Sequence, residues 1–124
     1  MIDFSASQLI QHVYISGGLT YSLVSGSGIE KQGYFVALPD QGLQVNAPIF
    51  FGVKGCQVLE SYIRQNEALL EQDSYHLGLW VNEDNVSIDV VQHISTQEQA
   101  LHLARIRHQE AIYDIYNKIA ISLV

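Results

Sequence analysis

The stretch Tyr75-His76-Leu77-Gly78-Leu79-Trp80-Val81-Asn82-Glu83-Asp84-Asn85-Val86-Ser87-Ile88-Asp89-Val90-Val91 decides the fold. Tyr75, Leu77, Leu79 and Val81 alternate with His76, Gly78, Trp80 and Asn82, the period of two that marks a half-buried strand. Residues 82–85 carry Asn and Asp side chains, which bond nearby backbone and accept tight turns. A second alternation follows, with Val86, Ile88 and Val90 set against Ser87, Asp89 and Val91. A loop at 82–85 places Val81 opposite Val86, Leu79 opposite Ile88 and Leu77 opposite Val90. All three pairs are apolar, and a slip of one residue would turn them to the other face, so this register is self-consistent. The opposite face then pairs Trp80 with Ser87, Gly78 with Asp89 and His76 with Val91.

Downstream, Ser95-Thr96-Gln97-Glu98 reads as a capping box, with Ser95 accepting a first-turn amide and Glu98 reaching back. Ala100, Leu101, Leu103 and Ala104 give the helix a narrow apolar stripe, and Arg105, Arg107 and His108 suit its C-terminal dipole. The period returns to two at Ala111–Tyr116. Ala111, Tyr113 and Ile115 share one face, and Ile112, Asp114 and Tyr116 the other. Asn117-Lys118 turns the chain into a last strand, Ile119 to Val124, which must be covered or remain a sticky edge.

Upstream, Ser5-Ala6-Ser7-Gln8 is a second capping-box pattern, and Leu9, Ile10 and Val13 continue a helix that Gly17-Gly18 stops. Leu19, Tyr21 and Leu23 then alternate as a strand. Ser25-Gly26-Ser27-Gly28 reads as the turn of a hairpin whose returning strand is Gly33 to Leu38, closed by Pro39-Asp40-Gln41-Gly42. Residues 43–55, around Pro48-Ile49-Phe50-Phe51, read equally as a short strand or a buried loop. Residues 56–72 read as one helix with Leu59, Tyr62, Ile63, Leu69 and Leu70 largely on one side. The order helix–strand–strand thus recurs over 5–38, 57–92 and 95–124. The expectation is a single α+β domain over 1–124, with about six antiparallel strands and three helices, mainly on one face.

The chain has 124 residues, 48% hydrophobic and 15% charged, which is enough for a real core. Its net charge is −7 with six Lys and Arg in all. That balance argues against gripping a phosphate backbone and suits a basic partner. Cys56 stands alone, so an internal disulfide is excluded and a reducing, cytoplasmic setting is expected. Neither a secretory leader nor an apolar run near the roughly 20 residues of a membrane span is visible.

The histidines, His12, His76, His93, His102 and His108, lack converging zinc spacing, since His102 and His108 are six apart. Gly26-Ser27-Gly28 has a strand after it, where a phosphate loop needs a helix. Cys56 lies near a helix start that would favour a thiolate, but a buried structural cysteine is the stronger reading. Asp89 and Asp114, with Glu83 and Glu110, resemble any solvated sheet face as much as a carboxylate pair for hydrolysis. No catalytic residue, metal or cofactor is therefore expected. The constellation that stands out is Trp80, His76, Asp89, Asp114 and Tyr116. With the helices on the other face, all five would lie on the open side of the sheet. Aromatics among acids there suit a protein or small-molecule contact. The alternatives are that this face packs on a second copy or lies under residues 43–55.

The segments Gly18-Leu19-Thr20-Tyr21, Gly33-Tyr34-Phe35-Val36-Ala37-Leu38, Leu77-Gly78-Leu79-Trp80-Val81, and Ala104 followed by Gln109-Glu110-Ala111-Ile112-Tyr113-Asp114, form a further pattern. Over most of 17–116 it resembles small uncharacterised proteins of bacterial prophages and conjugative elements, also found as modules of large polyvalent proteins. A leucine stands beside Trp80 where that group usually has a second glycine. The resemblance implies a protein of a mobile element, of the kind that inhibits a host defence complex, anti-CRISPR-like, by occupying its basic nucleic-acid-binding surface. It carries over no catalytic residue. A small-molecule or nucleotide-sequestering protein is the second expectation, and an enzyme using Cys56 or a His–acid pair the third.

Overall fold

A computed structural model describes residues 4–26 and 32–123. Among these, the elements run α1 (Ala6–Ser16), β1 (Gly18–Tyr21), β2 (Tyr34–Ala37), β3 (Leu43–Asn46), α2 (Ala47–Phe50), α3 (Gly55–Gln65), α4 (Glu67–Leu70), β4 (Tyr75–Asn82), β5 (Asn85–Ile94), α5 (Gln97–Ile106), β6 (Ala111–Asp114) and β7 (Ile119–Ser122). The strands make one antiparallel sheet in the order β1-β4-β5-β2-β6-β7, with β3 also paired to β5. The protein is α+β, as the periodicities indicate.

The central hairpin has the register its side chains specify: Val81 faces Val86, Leu79 faces Ile88 and Leu77 faces Val90. Leu77, Leu79, Val86, Ile88 and Val90 are fully buried against α1, α3 and the two short helices, with Leu9, Val13, Leu59, Ile63, Phe50 and Leu70. Each such side chain contributes about 2 kcal/mol relative to exposure. A second, smaller cluster lies on the same side under α5, where Ala100 and Ala104 rest on Val36 and Ile112. The small alanines bring the helix backbone close to β2 and β6. All five helices among the described residues therefore cover one face, and the sheet curls away from them.

Several local expectations are corrected. β1 and β2 are not a hairpin: β1 pairs β4 and β2 pairs β5, so the central hairpin separates them. Of the Ser25–Gly28 turn, residues 27 and 28 lie outside the described residues. Residues 43–55 combine a strand with a helical turn. β3 pairs Leu43–Asn46 with β5, and Pro48 sits in the first turn of α2, where its missing N–H costs nothing. The expected 56–72 helix is divided at Asn66, whose side-chain amide donates to the Tyr62 carbonyl at 2.9 Å. The cap of α5 is Thr96, one residue past Ser95; its hydroxyl accepts from the Gln99 amide at 3.3 Å. Ser5 caps α1 as expected, accepting from the Gln8 amide, and Gly17 closes that helix at φ 84°.

β2 and β3 together flank β5 as one strand with a break. β2 meets residues 91–94 of β5, and β3 meets residues 85–88. At the break, Leu38 N–H donates to the Val90 carbonyl at 3.0 Å, and the chain then loops out through residues 39–42. Tyr62 of α3 fills the gap from the helical side. Its hydroxyl donates to the Gln41 carbonyl at 2.6 Å. Burial, and then the nearby Asp89 charge, push the phenol well above its ordinary pKa.

Candidate functional site

Alternation puts Gly18 and Thr20 of β1, Gly78 and Trp80 of β4, Asp89, Val91 and His93 of β5, Phe35 and Ala37 of β2, and Ala111 and Tyr113 of β6 on the face away from the helices. Curvature turns this face into a hollow. Trp80 and Tyr113 lie three strand steps apart, roughly 14 Å in a flat sheet at ~4.8 Å per step. Their ring centroids are 5.4 Å apart and tilted by 51°. Phe35 likewise reaches across β5 to His76, at 5.4 Å between centroids, and packs edge-on to its cross-strand partner His93 at 6.0 Å.

The hollow has two compartments that share Thr20, Phe35, Trp80 and Tyr113. The outer cleft, about 620 Å³, runs from the α1–β1 junction at Ser16–Gly18 to the β6–β7 turn at Ile115, Tyr116 and Lys118. The inner chamber, about 170 Å³, is walled by Ala37, Val91, Ala111, Ile112 and Ala120 and carries Asp89. The four shared residues lie where the two meet, and both compartments open to solvent. Burial raises the Asp89 carboxyl above its usual range. Its Oδ1 leans toward the main chain of Gly42, where a Cβ would come within 2.7 Å.

The structure brings together part of the constellation read from the sequence. Trp80 and Asp89 line the hollow, and His76 lies on the same face, 2% exposed, against Phe35. Tyr116 stands 72% exposed in the β6–β7 turn at the rim of the outer cleft. Asp114 is the correction: it lies on the opposite, α5 side. β2 pairs Phe35 with Tyr113 and Tyr34 with Asp114, so the face that carries Phe35 takes Tyr113 and excludes its neighbour. Asp114 is 6% exposed and holds the turn, accepting from Asn117 N at 3.2 Å and Asn117 Nδ2 at 2.8 Å. Tyr113, Phe35 and Thr20 are site residues that the sequence reading missed. The alternation of residues 111–116 held the signal, but only pairing to β2 tells which of its faces turns inward.

Residues 43–55 do not cover the hollow. β3 extends the sheet, and Phe50 is buried in the core beneath α1 and α3. Cys56 is half-buried at the start of α3 and packs on that same core. Asp89 and Asp114 lie on opposite faces, so they form no carboxylate pair. Among the described residues no group of three or more His, Cys, Asp or Glu side chains is gathered that would hold a metal ion. Arg64, Arg105 and Arg107 do not line the hollow. Arg64 pairs with Glu67 at 2.9 Å and lies over the Phe4 ring, and Arg107 donates to Gln92 Oε1 at 2.6 Å. Burial lowers the Arg107 pKa, and the nearby Tyr75 phenol partly offsets this. No helix among the described residues is long and apolar enough to cross a membrane.

Comparison of the chain with protein-family models, with curated proteins and with solved structures gives no match.

Proposed function

We propose that this is a non-enzymatic binding protein of a mobile genetic element that works through the hollow of its sheet, inhibiting a host defence complex, anti-CRISPR-like, by protein–protein contact. The observation that carries the binding reading is the solvent-open cleft walled by Trp80, Phe35, Tyr113 and Tyr116. Trp80, Tyr113 and Tyr116 keep surface open there, with Phe35 buried at their base; large aromatic side chains in a concavity supply most of the energy of a contact while giving up little conformational entropy. The acid excess, −7 overall, favours approach to a basic surface. The resemblance to mobile-element proteins supplies the biological setting, and on this reading the protein acts in the cytoplasm. The test is infection of bacterial hosts that carry defined CRISPR effectors by a phage those effectors target. Expression of the parent chain is expected to restore plaques, and Tyr116→Ser, on the exposed turn, to weaken that rescue. Full immunity with the parent chain across a panel of effector types would refute inhibition of these complexes.

A second reading is favoured by one observation: an outer cleft of about 620 Å³ lies within the ~300–1,000 Å³ range of small-molecule sites. Here the protein would sequester a small ligand. With Lys118 as the one basic side chain lining the cleft, a polyanion is poorly served. A thermal-shift screen that raises Tm with an uncharged or cationic ligand, and no defence phenotype, would favour this second reading.

A further inference from the structure

We propose that the inner chamber receives an alkylammonium group, the end of a lysine side chain on the partner protein. This rests on the binding reading above and names the chemistry that the partner brings.

The paired aromatics at the junction limit what can fit beside them. Trp80 and Tyr113 are already in contact, 5.4 Å between centroids and tilted by 51°. A flat ring stacked between two others needs about 7 Å, twice the ~3.5 Å packing distance, so no nucleobase or aromatic side chain is sandwiched there without parting them. A slim, unbranched chain needs no such parting. Next to them the chamber walls include Ala37, Val91, Ala111, Ile112 and Ala120, all apolar and mostly small. They suit a methylene stem, which gains by leaving water.

The chemistry of the chamber sets the end group. Asp89 is the one charged side chain lining it. Among the described residues its carboxylate makes no ion pair and accepts no hydrogen bond. Burial alone disfavours its charged form. An arriving ammonium would compensate that charge and donate to the carboxylate. The faces of Trp80, Tyr113 and Phe35 add cation–π attraction on the way in. A guanidinium is planar and wider, and an anion would meet Asp89 unfavourably. Lys118 is in the exposed turn at the rim, where water and salt screen its charge.

Trp80 is the only tryptophan of the chain, so its emission reports directly on the junction of the two compartments. The test is a fluorescence titration of the full chain with Nα-acetyl-lysine methylamide, cadaverine and the neutral Nε-acetylated lysine analogue. The lysine derivative is expected to give a saturable change. Binding should be about tenfold weaker or more for the neutral analogue, and for the lysine derivative with Asp89→Asn, whose fold is checked by circular dichroism. Equal responses to charged and neutral compounds, no response to the lysine derivative, or unchanged binding by Asp89→Asn would overturn the proposal. Cadaverine bound more than about tenfold tighter than the lysine derivative would assign the chamber to free diamines and overturn the partner lysine. Rescue of phage infection that survives Asp89→Asn but is lost in Tyr116→Ser would overturn the ammonium and leave the binding reading standing.

Discussion

Gly18 lies directly beneath the Trp80 indole: β1 and β4 pair the two residues, and a Cβ on Gly18 would come within 2.6 Å of Trp80 Cε3. The ring can lie flat across β1 only because its partner has no side chain. Gly18→Ala should therefore displace the indole into the cleft and disturb its contact with Tyr113. The expected outcome is a changed Trp80 emission spectrum with a loss of about 1–3 kcal/mol in urea unfolding, the usual cost of overpacking. An unchanged spectrum and midpoint would mean that the ring has another place to rest.

Tyr62 gives a second prediction. Its hydroxyl ties α3 to the loop at the break between β2 and β3 by donating to the Gln41 carbonyl. Tyr62→Phe keeps the ring in the core and removes the bridge. Leaving the Gln41 carbonyl short of a partner should cost about 1–3 kcal/mol, measured by chemical denaturation. A loss below about 0.5 kcal/mol would show that water replaces the hydroxyl readily.

The pH dependence follows from Asp89. Its carboxyl titrates above the ordinary 3.8 because burial disfavours the charged form. Between those two values the folded chain holds a proton that the unfolded chain has released. The residue therefore adds stability below 3.8 and loses that contribution as pH rises through its folded value. Asp89→Asn removes the burial cost at neutral pH, so the variant should gain on the parent at pH 7 and lose that advantage toward pH 4. Comparing the two proteins by thermal unfolding across pH isolates Asp89 from His76 and His93, which share its face. A difference independent of pH would contradict the assignment.

The helix cap offers a discriminating pair. Thr96 accepts the Gln99 amide, and Ser95 has no such role. Thr96→Ala should cost about 1 kcal/mol and Ser95→Ala a few tenths. The opposite ranking would restore the Ser95 capping box.

What the sequence made legible was whatever short-range pattern controls. Leu77, Leu79, Val86 and Ile88 could sit on only one face, so the hairpin register followed from alternation. The cap of α5 slipped by one residue because Ser95 and Thr96 offer the same hydroxyl and local pattern cannot rank them. The break at Asn66 was hidden by Leu69 and Leu70, which keep the apolar side going past it. The site was half legible. Trp80 and Asp89 follow from the hairpin, but Tyr113 and Phe35 join them only through the pairing of β2 with β5 and β6, a choice made between segments far apart in the chain. Curvature was not written in any single segment. It brings β4 and β6 side chains together across two intervening strands.

The placement of β1 and β2 on either flank of the central hairpin also bears on assembly, because local pairing is fast and distant pairing slow. Residues 75–94 pair with one another locally in sequence, on a ~1–10 μs scale, and offer an edge to each flank. The N-terminal helix and strand must then cross a long stretch of chain to reach β4, a slower closure. Until they arrive, β4 exposes an unpaired edge to other molecules. The time the N-terminal closure takes is thus the interval in which edge-to-edge pairing between chains competes with folding.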